Sequence, residues 1–158
     1  MGTPTVFRAS LSPARLAQLT SRIADDPGRW LSLVRYRAEP RWYLRLAHDD
    51  QHEIWLLSWL PGQQTGFHDH GPSAGAFAVA RGCLSEQTAP GGLPDPRVRT
   101  VAAGAVRSFG PDYAHDVANQ SAQPAVSIHA YSPPLSSMRR YGRAADGRLR
   151  LTAEERSW

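Results

Sequence analysis

The chain between Arg41 and Tyr131 is cut into short segments rich in aromatic and branched residues, and this punctuation constrains the fold more than any other feature. The segments run over 41–47, 54–60, 66–70, 76–80, 98–101, 105–109 and 126–131. Turn-forming groups separate them: Asp49-Asp50, Pro61-Gly62, Gly71-Pro72, Pro90-Gly91-Gly92 and Gly110-Pro111. Many short strands with frequent glycine and proline breaks indicate a β-sandwich or barrel. Ahead of them, Ser12-Pro13 has the form of an N-cap followed by proline at the first helical position. Leu16, Leu19 and Ile23 then share one helical face, and Asp25-Asp26-Pro27-Gly28 should end the helix. Near the other end, Asp146-Gly147 between 141–143 and 148–151 is a two-residue hairpin signal, and Thr152 to Glu155 could cap a last helical turn. The expected layout is one β-dominated domain over 1–158. It has a helical lead-in over 1–38, a barrel over 39–135, and a hairpin and tail over 136–158.

A chain of 158 residues can bury a working core without covalent help. Cys83 is the single cysteine, so no internal disulfide framework exists; this fits a reducing, cytoplasmic setting. No apolar stretch approaches the roughly 20 residues of a membrane helix, and the first residues lack the basic start and apolar run of a secretory signal. The net charge is +4, carried by arginines interleaved with acids, with no lysine. No basic patch or aromatic-basic ladder stands out, so neither nucleic acid nor membrane is expected as a partner.

Three of the six histidines stand at informative places. His68 and His70 are two apart, so on a strand both imidazoles point to one side. His115 follows the Gly110-Pro111 turn, as a partner from another strand would. His48 and His52 flank the Asp49-Asp50 turn and read as solvated. Five residues separate Gly62 from His68, and Gly82 follows. Five more separate Gly104 from Gly110, and three separate His115 from Asn119. This spacing resembles the two motifs of the cupins, which implies a jelly-roll barrel. Two positions depart from the pattern: the glutamate of the first motif falls at Gly75, and the Pro-x-Gly of the second reads Gly110-Pro111-Asp112. Three neutral imidazoles suit zinc, copper, iron or nickel, and such a set with an open position also serves zinc hydration or hydrolysis.

Ser127, His129 and Tyr131 alternate on one segment and so share a face. There His129 can hold the Tyr131 hydroxyl and Ser127 can hold His129. Ser132-Pro133-Pro134 follows and could contain a cis bond. Tyr43-Leu44-Arg45, His68-Asp69-His70, His115 and the string from Ser127 to Pro134 together resemble the type I cysteine dioxygenases over roughly residues 41–141. The resemblance implies that His68, His70 and His115 bind one Fe(II) per chain, with no organic cofactor. It implies that Ser127 and His129 orient Tyr131, and that the Ser132-Pro133 bond is cis. It also implies that Arg45 binds the substrate carboxylate, with Tyr43 beside it. Animal members carry a cysteine five residues after the second histidine, crosslinked to the active-site tyrosine. Here that position is Gly75, and Cys83 lies eight residues further on, so no Cys–Tyr crosslink is expected.

The expected activity is thiol dioxygenation, with L-cysteine and O2 as substrates, by a monomer. Related dioxygenases of 3-mercaptopropionate carry glutamine where cysteine dioxygenases carry arginine, so Arg45 favours cysteine. The alternatives are another small thiol, a zinc or nickel cupin isomerase or hydrolase, and a cupin that binds a ligand without catalysis. The Ser127–His129–Tyr131 relay argues against the last two.

Overall fold

The computed structural model describes residues 9–92 and 95–158, so the first eight residues of the expected lead-in lie outside the described residues. Helix α1 spans Pro13–Ala24. The Oγ of Ser12 accepts from the Arg15 N–H at 3.3 Å, and Asp25 closes the far end. The strands are β1 (Tyr43–His48), β2 (Glu53–Trp59), β3 (His68–Asp69), β4 (Ala74–Arg81), β5 (Cys83–Thr88) and β6 (Arg97–Ala102). They continue with β7 (Val106–Phe109), β8 (His115–Ala118), β9 (Ala125–Ser132), β10 (Met138–Arg143) and β11 (Leu149–Glu155).

They form two antiparallel sheets, ordered β1-β2-β9-β4-β7 and β11-β10-β3-β8-β5-β6. In the first sheet, β9 and β4 are buried on both faces, and the two faces differ in chemistry. Ala76, Ala78, Val126, Ile128 and Ala130 pack under α1 with Leu16 and Ile23. The intervening residues Phe77, Val79 and Tyr131 turn inward, toward Trp59, Leu84, Val101 and Val117. Period-two alternation thus puts alanines and branched residues beneath the helix, and Ser127, His129 and Tyr131 inside. Leu16 is fully buried under this helix, so Leu16→Ala would cost about 2–5 kcal/mol. At Gly82, between β4 and β5, φ is +76° and an added Cβ would stand 2.7 Å from the Pro124 carbonyl, so the turn needs glycine.

Two sequence expectations change. Thr152 to Glu155 is not a helical turn: it continues β11, paired with β10 as far as Met138–Glu155, and the ladder satisfies its backbone. The hairpin also extends the second sheet, because β10 pairs with β3 through Arg139–Asp69 and Arg140–His68. β5 and β8 were missed. Cys-Leu-Ser-Glu-Gln-Thr and His-Asp-Val-Ala are too polar or too short for strand signals and are held by their neighbours. Among the described residues, no helix is long and apolar enough to cross a membrane.

Candidate active site

β3 and β8 pair at a single register point, His68 opposite His115, and His70 leaves β3 just beyond. All three histidines are buried, and their ligand nitrogens lie within 4.8 Å of one another. His68 donates from Nδ1 to the Gly66 carbonyl at 2.9 Å, and His115 donates from Nδ1 to Glu86 Oε1 at 3.0 Å. Those bonds leave the Nε2 lone pairs of both rings unused. The Nε2 of His68 is 3.1 Å from the Nε2 of His70. Burial, and next the charge His115 would carry, hold His68 down at about 3. Burial followed by His68 and His115 holds His70 far below its ordinary value. A metal ion takes imidazole in its neutral form, and three buried rings whose ligand nitrogens lie this close together fit one.

Glu86 of β5 is a participant that the sequence did not reveal. Burial alone would raise its carboxyl, but hydrogen bonds from His115 and Arg107 outweigh it and hold the group at about 2. Arg107 Nε donates to Glu86 Oε2 at 2.8 Å, and the Tyr113 hydroxyl donates to Glu86 Oε1 at 3.1 Å. The first cupin motif lacks its glutamate here, and no spacing rule points to a carboxylate on β5. Only the β5–β8 pairing brings Glu86 to the outer nitrogen of His115.

The alternation on β9 builds a second chain of contacts. The Trp59 indole N–H donates to Ser127 Oγ at 2.8 Å, and Ser127 Oγ lies 2.8 Å from His129 Nε2. His129 Nδ1 is 3.5 Å from the Tyr131 hydroxyl, a long contact. An indole can only donate, so Ser127 Oγ accepts from Trp59, and the same oxygen faces His129 Nε2. Burial, then the charges of His115 and Arg41, keep His129 neutral. Burial first and Glu53 second raise the Tyr131 phenol well above its ordinary value, so it keeps its proton.

A cavity of about 490 Å³ opens over His68, His115, His129 and Tyr131. Arg41 and Tyr43 line it from the first sheet's side, and Arg140 and Glu155 from the second. Arg45 does not line it. Its side chain is 50% exposed, 3.7 Å from Glu53, and lies over the Trp55 ring at 5.5 Å. Arg41, Tyr43 and Arg45 share a parity, but four residues of extended chain span about 13 Å, and the Arg41 end is the one at the cavity. Arg41 lies over Trp59 at 4.2 Å, and its buried Nε has no hydrogen-bond partner among the described residues. Gly75 pairs across the sheet with both Tyr131 and Phe109. A Cβ there would stand 2.6 Å from Phe109 Cζ, so Phe109 fills the space a side chain would take. Cys83 is on β5, opposite Ala102. The Ser132–Pro133 bond is cis.

Two antiparallel sheets with three inward histidines at one end define the double-stranded β-helix, or cupin, class. A protein from Thermus thermophilus superposes with a TM-score of 0.58 at 22% identity, over 66% of this chain and 93% of its own. A double-stranded β-helix protein from Klebsiella pneumoniae gives 0.57 at 16% identity, over 77% and 92%. A cupin superfamily protein from Desulfitobacterium hafniense gives 0.55 at 14%, over 66% and 87%. These likenesses define the fold. The family model for cysteine dioxygenase type I matches residues 6–144, and the chain belongs to that family. No curated protein matches it.

Proposed function

We propose that this protein is an Fe(II) thiol dioxygenase that adds both atoms of O2 to the sulfur of L-cysteine, giving cysteine sulfinic acid. The observation that carries this reading is the buried three-imidazole cluster, with His68 and His115 opening into a cavity where the Arg41 Nε has no partner among the described residues. His68, His70 and His115 would hold the metal. Bound iron supplies the redox chemistry that brings O2 and a thiolate sulfur together. Because no carboxylate belongs to the ligand set, the anionic donor is left to the substrate's thiolate.

The remaining residues position that substrate. Burial is the largest influence on Arg41 and lowers it to about 10, so it stays charged at neutral pH. A desolvated cation with an unused donor suits a carboxylate. Arg41, rather than Arg45, is therefore proposed as the carboxylate clamp, with Tyr43 beside it in the lining. Tyr131 offers its hydroxyl hydrogen to charge developing near the metal. This donor is preorganised through His129, Ser127 and Trp59. Cysteine presents thiolate, amine and carboxylate together, whereas 3-mercaptopropionate lacks the amine and cysteamine the carboxylate.

The test is metal analysis of protein produced with ample iron, followed by oxygen uptake with L-cysteine, 3-mercaptopropionate and cysteamine. The proposal expects bound iron and the highest kcat/KM for cysteine. Faster oxidation of 3-mercaptopropionate at low concentration would move the substrate assignment. Bound zinc or nickel, with no oxygen uptake after iron loading, would favour the isomerase or hydrolase alternative.

A further inference from the structure

Two arginines line the cavity, and they are not equivalent. Arg41 has its unpartnered Nε. Arg140 stands on β10 opposite His68, and its donors are engaged. Nε donates to Glu155 Oε1 at 2.7 Å and Nη2 to Glu155 Oε2 at 3.3 Å, while Nη1 donates to the Thr65 carbonyl at 3.0 Å. Glu155 closes β11, opposite Met138, and itself lines the cavity. It lies beyond residues 6–144, the stretch that the family model matches.

We propose that Glu155 is a specificity-determining residue: by engaging Arg140 at the cavity mouth it leaves Arg41 as the clamp for substrate and restricts the site to thiols with a single carboxylate. The proposal rests on the dioxygenase reading above. With Glu155 in place, the Arg140–Glu155 pair is neutral and Arg41 contributes one positive charge, which matches one carboxylate. Without it, two guanidiniums would face the cavity and suit a dianion. Glu155 thus acts twice against a second carboxylate, by occupying the cation that would bind it and by repelling it. Discrimination built from a repulsive element is a general route to specificity. Both side chains are partly exposed, at 36% and 39%, and an ion pair so placed adds little to folding stability. Selectivity is therefore what this pair chiefly contributes.

The test compares the iron-loaded full chain with its Glu155→Gln and Glu155→Ala variants on L-cysteine and on mercaptosuccinate, a thiol with two carboxylates. Oxygen uptake gives kcat and KM, and anaerobic tryptophan-fluorescence titration with mercaptosuccinate gives a binding constant that does not depend on turnover. Relative to cysteine, kcat/KM for mercaptosuccinate should rise about tenfold in both variants, chiefly through KM, and its binding should tighten by a similar factor. Adding Arg140→Gln to either variant should abolish the gain. Unchanged ratios and binding in variants with wild-type melting midpoints would overturn the proposal. If the Glu155 variants fail to fold, Arg140→Gln alone decides. It leaves a bare carboxylate at the mouth and should weaken mercaptosuccinate further, so a gain there would overturn the proposal. A wild-type protein that oxidises no thiol would instead sink the dioxygenase reading, and this proposal with it.

Discussion

Arg41→Gln is the substitution that most directly probes how substrate is held. The guanidinium lines the cavity, lies over Trp59 at 4.2 Å and has a buried Nε without a partner among the described residues. A hydrogen bond to a charged group contributes about 1.5–3 kcal/mol. At about 1.4 kcal/mol per tenfold, its loss should lower kcat/KM for L-cysteine roughly 10- to 150-fold. Arg41 is desolvated enough for burial to depress it to about 10, so the upper part of that range is expected. Cysteamine has no carboxylate and should change by less than about threefold. Arg45→Gln is the control. That side chain is half exposed, 3.7 Å from Glu53 and outside the cavity lining, so its loss should change cysteine kinetics little. Steady-state oxygen uptake on both variants, with both thiols, reads all four numbers. Intact cysteine kinetics in Arg41→Gln, with a large loss in Arg45→Gln, would refute the assignment of the clamp.

Three further outcomes are expected. Tyr131→Phe should fold and bind iron normally, because among the described residues the hydroxyl has only the 3.5 Å contact with His129, yet lose turnover or the coupling of oxygen use to product; unchanged product yield per O2 would remove Tyr131 from the chemistry. Glu86→Gln should weaken metal affinity about 10- to 100-fold, since the carboxylate fixes His115 through its outer nitrogen at 3.0 Å; competitive chelator titration measures this, and an unchanged constant would count against it. Metal-free protein should lose stability as pH falls below about 6.5, because the unfolded state binds protons that buried His68, His70 and His129 refuse. Such groups are neutral in both states above the unfolded value, so their cost is absent there and grows by up to about 1.4 kcal/mol per pH unit per group below it. Melting midpoints unchanged between pH 7.5, where the cost is absent, and pH 5.5, about one unit below the unfolded value, would contradict this.

The sequence made the three-histidine cluster legible because a two-residue spacing on a strand and a third histidine behind a turn leave few arrangements open. The helix was equally plain, since Ser12-Pro13 caps it and Leu16, Leu19 and Ile23 mark its buried face. Parity placed Ser127, His129 and Tyr131 on one face but did not say that this face looks inward. That follows from α1 covering the opposite face of β9. Parity likewise could not choose between Arg41 and Arg45, because the choice depends on which end of β1 overhangs the cavity. Glu86, Trp59 and Glu155 were invisible for a common reason. Each acts across strands rather than along one, and only the β5–β8, β2–β9 and β10–β11 pairings bring them to His115, Ser127 and Arg140.

The most direct test of the central claim is the fate of oxygen when iron-loaded protein turns over L-cysteine under isotopically labelled O2. Mass spectrometry of the product should find cysteine sulfinic acid with both of its sulfinate oxygens labelled, and His68→Ala protein should form none. Product carrying a single labelled oxygen, or formed equally well by the His68→Ala variant, would contradict dioxygenation at the three-histidine site.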